Sequence, residues 1–370
     1  MSHRIVLGLA LGILTAAPAW AQEAGTTSSG ASSTRTFASM MNPGISVSGL
    51  FLAGVESQDG KLVAPGQNAT DTPLPGKGET FGTGPSVQEI EVQFSAAVDP
   101  YFKANVVMSI PGTEGVEIEE GYATLTAVPR LLVNVGKVKE PFGRENMTHT
   151  HALLTLDKSL VGQRVLGAEG LNDVAIDAAL LMPTPWYSEV TLGVDAGQND
   201  LLYGSGKPLG LGNFAHLKNL FDLSENYTLE VGLSGATGET AFDSRSWTGG
   251  ADVTIRGHGS GRHMWNRLIW QNEFMYSSRP GSDTDPRVGG AYSTLRYSVT
   301  RRLWLGGRYD WVGLGVDPVQ AGSLIAIVQP TEFSAIRLQA QRQFLPGGHT
   351  DDSIVAQLRF VLGSHPAHSY

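Results

Sequence analysis

Residues 332–362 read EFSAIRLQAQRQFLPGGHTDDSIVAQLRFVL. In the first part, Ile336, Leu338 and Ala340 alternate with Arg337, Gln339 and Gln341. In the last part, Ile354, Ala356, Leu358, Phe360 and Leu362 alternate with Gln357 and Arg359. Successive side chains of a strand point to opposite faces, so each segment carries one apolar and one polar side. Each is about as long as a tilted strand must be to cross a bilayer. One such hairpin could belong to a soluble sandwich; its repetition along the chain decides the fold.

The same pattern predicts sixteen strands: 45–56, 86–98, 101–110, 116–126, 130–138, 171–182, 186–196, 210–221, 226–236, 247–256, 264–277, 289–300, 303–313, 321–329, 332–343 and 352–362. Mostly tight turns alternate with mostly longer connections. The tight class includes Asp99-Pro100, Arg301-Arg302 and Pro330-Thr331, and most of its members carry turn-forming residues. The longer class includes 57–85, 139–170 and 344–351. Short turns on one side, longer loops on the other and an even strand count describe an all-β, up-and-down antiparallel transmembrane barrel of the bacterial outer membrane. Aromatics at Tyr101-Phe102, Trp186-Tyr187, Tyr227, Trp265, Trp304 and Phe333 each follow a tight turn, as expected of a periplasmic girdle; Tyr276, Tyr309 and Trp311 would contribute to the outer one.

Composition agrees. Charged residues make up 16% of the chain, low for a soluble protein. Glycine is abundant, at 46 of 370 residues, and there is no cysteine to staple an exported domain. The net charge of −9 argues against a nucleic-acid partner. Met1 to Ala21 has a basic start, a short apolar run from Ile5 to Leu14 and an Ala19-Trp20-Ala21 cleavage site, which together make a signal peptide. Residues 22–41 read as a flexible periplasmic lead-in and 42–370 as the barrel domain. The stretch before Ile45 is too short for a plug domain, which points away from TonB-coupled uptake.

The connection 139–170 is the candidate constriction. Its apolar run Ala152 to Leu156 would rather pack than stay in water, so the loop is expected to fold inward. A surface loop folded on its own side chains is the other option. Its candidate pore-lining residues are Lys139, Arg144, Glu145, His149, His151, Asp157, Lys158 and Arg164, of mixed charge. On the wall, Glu89, Glu91, Glu117 and Glu119 form an acidic sector, and Arg296, Arg308, Arg337 and Arg359 form a basic one. Opposed sectors would place a transverse field across a narrow pore; local pairing of solvated wall residues is the plainer reading. Strict alternation leaves Glu120 and Tyr122 on the lipid side, unless a bulge at Glu120-Gly121 re-aims the glutamate.

No motif for catalysis emerges: there is no G-x-S-x-G elbow, P-loop, HExxH or cysteine nucleophile. The chain is therefore read as non-enzymatic and free of cofactors. His149 and His151, with His365 and His368, could be metal ligands, but the two pairs are expected at different heights and neither completes a tetrahedral set.

Gly136-Lys137-Val138-Lys139-Glu140-Pro141-Phe142-Gly143 resembles the G-x-x-K-x-P-F-G element of the phosphate-selective porin O/P group. Asn42-Pro43-Gly44-Ile45-Ser46 and the end Phe360-Val361-Leu362-Gly363, with His365-Pro366-Ala367-His368, extend the resemblance to a branch of Gram-negative outer-membrane barrels. The resemblance implies a sixteen-stranded porin-like homotrimer, seated in outer-membrane lipid by the barrel assembly machinery. Its third loop folds inward. Phosphate selectivity is not carried over, because this chain is acidic and its third loop is balanced. The assembly signal is Tyr370 or Phe360. The function expected is passive diffusion of small hydrophilic solutes or ions. The alternative is a ligand- or metal-binding, receptor-like and zinc-related barrel with little open conductance.

Overall fold

The computed structural model describes residues 43–63, 78, 81–112, 115–204, 210–241, 244–263, 265–282 and 285–363. The expected signal peptide and lead-in, together with His365, His368 and Tyr370, lie outside them.

Seventeen strands form one antiparallel sheet: β1 (Gly44–Gln58), β2 (Lys61–Leu62), β3 (Gly84–Ala97), β4 (Phe102–Pro111), β5 (Glu117–Leu125), β6 (Leu131–Lys139), β7 (Asn172–Leu181), β8 (Tyr187–Asp195), β9 (Gly212–Ser224), β10 (Tyr227–Glu239), β11 (Arg245–His258), β12 (Arg267–Ser278), β13 (Arg287–Ser298), β14 (Leu303–Leu314), β15 (Val319–Thr331), β16 (Ser334–Phe344) and β17 (Thr350–Gly363). β1 pairs with β17 from Ser46↔Gly363 to Gln58↔Asp351 and with β3 from Gly44↔Ser95 to Gly54↔Gly84, which closes the barrel. The two-residue β2 folds back on Ser57 and Gln58 and is the one strand outside the sixteen-strand ring. Closure leaves no edge, as a sheet in lipid requires.

The barrel is inside-out. Val135, Ile176, Leu192, Leu295, Leu324, Ile336, Leu338, Ile354 and Leu358 are exposed on the outside. Polar groups such as Gln271, Thr294, Gln339, Gln341 and Gln357 are buried inside. Among the aromatics, Tyr101, Phe102, Trp186, Tyr227 and Phe333 are exposed at the turn end. At the loop end the Trp247 and Tyr276 rings lie 5.4 Å apart, and Tyr309, paired with Ser293 nearer the middle of its strand, is exposed as well. Two expected girdle residues belong elsewhere. Trp304 lies under the guanidinium of Arg296, 5.2 Å from ring centre to charge, and Tyr187 hydrogen-bonds Glu189 and lies 6.0 Å from Lys218 Nζ. Both line the interior.

A bulge in β5 corrects the register expected there. Val107 pairs with Glu120 and Met108 with Ile118, so Glu119 is the extra residue, one position before the expected site. An extra residue turns both members of the bulge to one face. Glu119 and Glu120 are accordingly both buried inside, and Tyr122 follows them inward instead of facing lipid. Glu117, above the bulge, is exposed and is not part of the buried acidic group.

The third loop folds inward as expected. Leu153 and Leu156 are buried, the latter in a cluster with Leu52, Ile325, Ile327, Ala335 and Val355 of the inner wall. The loop continues into α1 (Leu160–Leu166), capped by the Ser159 hydroxyl accepting from Gly162 N. Leu160, Val161, Val165 and Leu166 pack against Val288, Val312, Val319 and Leu345, and against Leu202 and Tyr203 of α2 (Asp200–Tyr203). Burying each aliphatic side chain is worth roughly 1.5–3 kcal/mol, enough to hold the loop inside. The main hydrophobic core of the described residues thus lies within the lumen, towards the loop end.

Candidate functional site

The loop enters the lumen through the Pro141-Phe142-Gly143 element. Phe142 is fully buried in the luminal core, and Gly143 N donates to Ser234 Oγ at 2.8 Å. Gly143 has φ +61°, and a Cβ there would run into the Glu273 carboxylate, so glycine answers both demands. The same carboxylate accepts the backbone N–H groups of Arg144 (3.1 Å) and Glu145 (2.7 Å) and the hydroxyl of Tyr292 (2.6 Å). Arg144 reaches Glu230 at 3.3 Å.

Beyond this entry the loop runs along the wall between two sectors of opposite charge. The acidic sector is built by β3 and β5. His149 Nδ1 lies 3.2 Å from Glu119 Oε2 and 3.3 Å from Glu91 Oε2, and its Nε2 lies 3.4 Å from Glu120 Oε2. His151 Nδ1 lies 3.1 Å from Glu91 Oε2, and the two imidazoles stack with centroids 5.8 Å apart. Lys139, the last residue of β6, closes the group with Nζ 2.6 Å from Glu119 Oε1. Burial disfavours a charged imidazole at His149, but hydrogen bonds to Glu119, Glu120 and Glu91 outweigh it and hold its pKa well above the ordinary histidine value.

The basic sector grips the loop by its backbone. Arg337 Nη2 donates to the carbonyls of Leu153 (2.8 Å) and Thr155 (2.6 Å). Arg359 Nη1 donates to His151 O at 3.0 Å, and Arg296 Nη1 to Leu154 O at 3.5 Å. Arg308 Nη1 donates to Asp157 O at 2.8 Å while its Nη2 pairs with Asp157 Oδ2 at 2.8 Å. Arg308 Nε pairs with Asp310, whose other oxygen accepts Leu160 N at 3.0 Å. Gln339 and Gln341 donate to the Asp157 carboxylate at 2.8 and 3.1 Å. Arg308, Arg337, Asp157 and Asp310 are buried, and charge-assisted hydrogen bonds keep their charges tolerable there.

Beneath the loop lies a cavity of about 2280 Å³. Lys139, Arg144, Glu145, His149 and His151 of the expected constriction line it. The others do not. Asp157 is locked against the wall, Lys158 donates to Ala168 O, and Arg164 pairs with Asp285 beside a second, smaller cavity. Of the wall charges, Arg296 and Arg359 reach the cavity as well as the loop, whereas Arg308 and Arg337 are consumed in holding the loop. Sequence reasoning missed Glu120, Glu230, Glu273 and Asp310. The last three sit on the polar face of alternating strands, which was signal enough to find them. Just past β6, Glu140 is buried with neither carboxylate oxygen hydrogen-bonded among the described residues. Burial, then the charges of Asp195, Asp173 and Asp177, push its pKa up to about 9.

No family model matches the chain. A protein of Aquifex aeolicus (strain VF5), described as uncharacterized, is 29% identical over 331 residues, covering 76% of this chain and 69% of that one. Solved structures of similar fold include the outer-membrane channel DcaP of Acinetobacter baumannii, with a TM-score of 0.59 at 9% identity over 87% of this chain and 98% of that one. The anion-selective porin of Comamonas acidovorans gives 0.58 at 10% identity over 87% and 100%. OprB of Pseudomonas putida gives 0.57 at 11% identity over 87% and 94%. The chain has the sixteen-strand barrel fold of outer-membrane porins and channels.

Proposed function

We propose that this protein is an outer-membrane porin through which small hydrophilic solutes or ions diffuse passively. The observation that carries the reading is the third loop, folded into the lumen and bonded to its charged wall above a polar cavity. Lumen-facing residues tune the selectivity of such barrels. Of the expected constriction residues, Lys139, Arg144, Glu145, His149 and His151 border the cavity and are the ones proposed to meet a passing solute. The described cavity lining holds eight Lys or Arg and seven Asp or Glu side chains, so the pore should discriminate only weakly between anions and cations. This balance supports passage of mixed solutes rather than phosphate selectivity, although the Pro141-Phe142-Gly143 entry keeps the resemblance to the phosphate-selective porin O/P group. Export through the signal peptide, residence in the outer membrane, assembly as a homotrimer and the absence of catalysis belong to the same reading.

The buried apolar core in the loop half of the lumen favours a second reading, a binding barrel of little conductance. Deleting residues 147–160 separates the two. A porin gains conductance when its constriction is removed, whereas a binding barrel loses retention of its ligand.

A further inference from the structure

The acidic sector gathers four carboxylates of the wall into one buried group. Glu89, Glu91, Glu119 and Glu120 are all buried, and among the described residues Lys139 is the lysine or arginine seen in an ion pair with them. Two imidazoles face these carboxylates, and a positive charge of fixed position would balance the group. We infer that Glu91, Glu119 and His149 form a binding site for a divalent transition-metal ion.

The geometry is that of a ligand set. His149 Nδ1, Glu91 Oε2 and Glu119 Oε2 lie within 4.8 Å of one another, with the nitrogen 3.2 and 3.3 Å from the two oxygens. Metal bonds to imidazole nitrogen and carboxylate oxygen of about 2.0–2.2 Å put neighbouring ligands of a tetrahedral site roughly 3.3–3.6 Å apart. Small movements of the three side chains therefore suffice. The surroundings supply the outer partners that metal-bound groups require. Glu120 receives the other nitrogen of His149, which orients the ring and makes Nδ1 the ligand atom. Lys139 takes the opposite oxygen of Glu119 and leaves Oε2 for the metal. His151, stacked on His149 and 3.1 Å from Glu91 Oε2, is placed to steady that carboxylate or to complete the set. An imidazole among so few ligands suits zinc and its first-row neighbours, whereas calcium and magnesium ask for a fuller shell of oxygens. His149 and His151 border the cavity, so an ion can enter from it. Bound there, the metal would tie the third loop to β3 and β5.

Titration calorimetry of the refolded full chain in detergent with zinc chloride tests the inference. Saturable binding of one ion is expected, weakened on the order of 10–100-fold by Glu91→Gln and by His149→Ala. Heat-dependent gel mobility verifies that each variant is folded, and Glu119→Gln serves if Glu91→Gln is not. A His365→Ala/His368→Ala double variant should retain the affinity. The inference is overturned if the parent shows no saturable binding up to millimolar zinc. It is equally overturned if folded Glu91→Gln and His149→Ala bind as the parent does, or if calcium chloride binds as tightly as zinc chloride.

Discussion

Arg337 donates from Nη2 to two carbonyls of the third loop, Leu153 O at 2.8 Å and Thr155 O at 2.6 Å, while its Nη1 donates to Gln357 at 3.0 Å. A wall arginine thereby fixes a loop whose side chains at those positions carry no charge. Arg337→Ala leaves buried carbonyls without a donor, at on the order of 1–3 kcal/mol each. Thermal unfolding in detergent should show that loss, and limited proteolysis should cut within 150–157 where the parent resists. An unchanged cleavage pattern would mean the loop is held by its apolar contacts alone.

The Arg308–Asp157 pair, at 2.8 Å with both side chains essentially inaccessible, should behave as a buried ion pair. Arg308→Met strands the buried Asp157 and Asp310 carboxylates together and should destabilise by roughly 3–5 kcal/mol, Asp157→Ala should cost less because Arg308 keeps Asp310, and the double variant should fall short of the sum of the two losses. Denaturant midpoints of the four proteins measure the coupling. Additive losses would contradict the assigned geometry.

Leu156 is fully buried between the loop and Leu52, Ile325, Ile327 and Val355. Leu156→Ala should cost about 2–5 kcal/mol through lost burial and the cavity left behind. Leu154, half-buried and lining the cavity, has less to lose, so Leu154→Ala should be nearly silent in the same thermal scan.

Glu140 should impose a pH dependence on stability. Its folded pKa is raised to about 9 from an ordinary 4.5, first by burial and then by neighbouring carboxylates. Between those values the unfolded chain holds fewer protons than the folded one, so stability falls as pH rises through the window. Glu140→Gln removes that slope. The variant should melt higher than the parent at about pH 8 and alike at about pH 4, where both states of the parent are protonated. A gain of equal size at both pH values would assign the effect to packing instead.

Strand order and extent were legible because the barrel imposes a period of two and regular turns. The expected 210–221 against Gly212–Ser224 and 264–277 against Arg267–Ser278 are among the largest boundary differences, at three residues. The inward loop was legible from its apolar run. Faces near turns and bulges were not. Trp304 follows a tight turn as a girdle residue does, yet it shares strand parity with the inward Arg308 and Asp310, and parity decides. The bulge at Glu119 follows from pairing with β4, which no local pattern records. The arginines were placed on the correct face, but their partners are backbone carbonyls, and a carbonyl leaves no mark in a sequence. The acidic group joins residues 91, 119 and 149, which only closure of the barrel and entry of the loop bring together.

Single-channel recording of the refolded mature protein in planar bilayers decides whether the barrel conducts. A porin should give discrete, stable conductance steps, with a reversal potential in a salt gradient close to zero because the cavity charges nearly balance. A folded, inserted barrel that carries no current would contradict the porin reading.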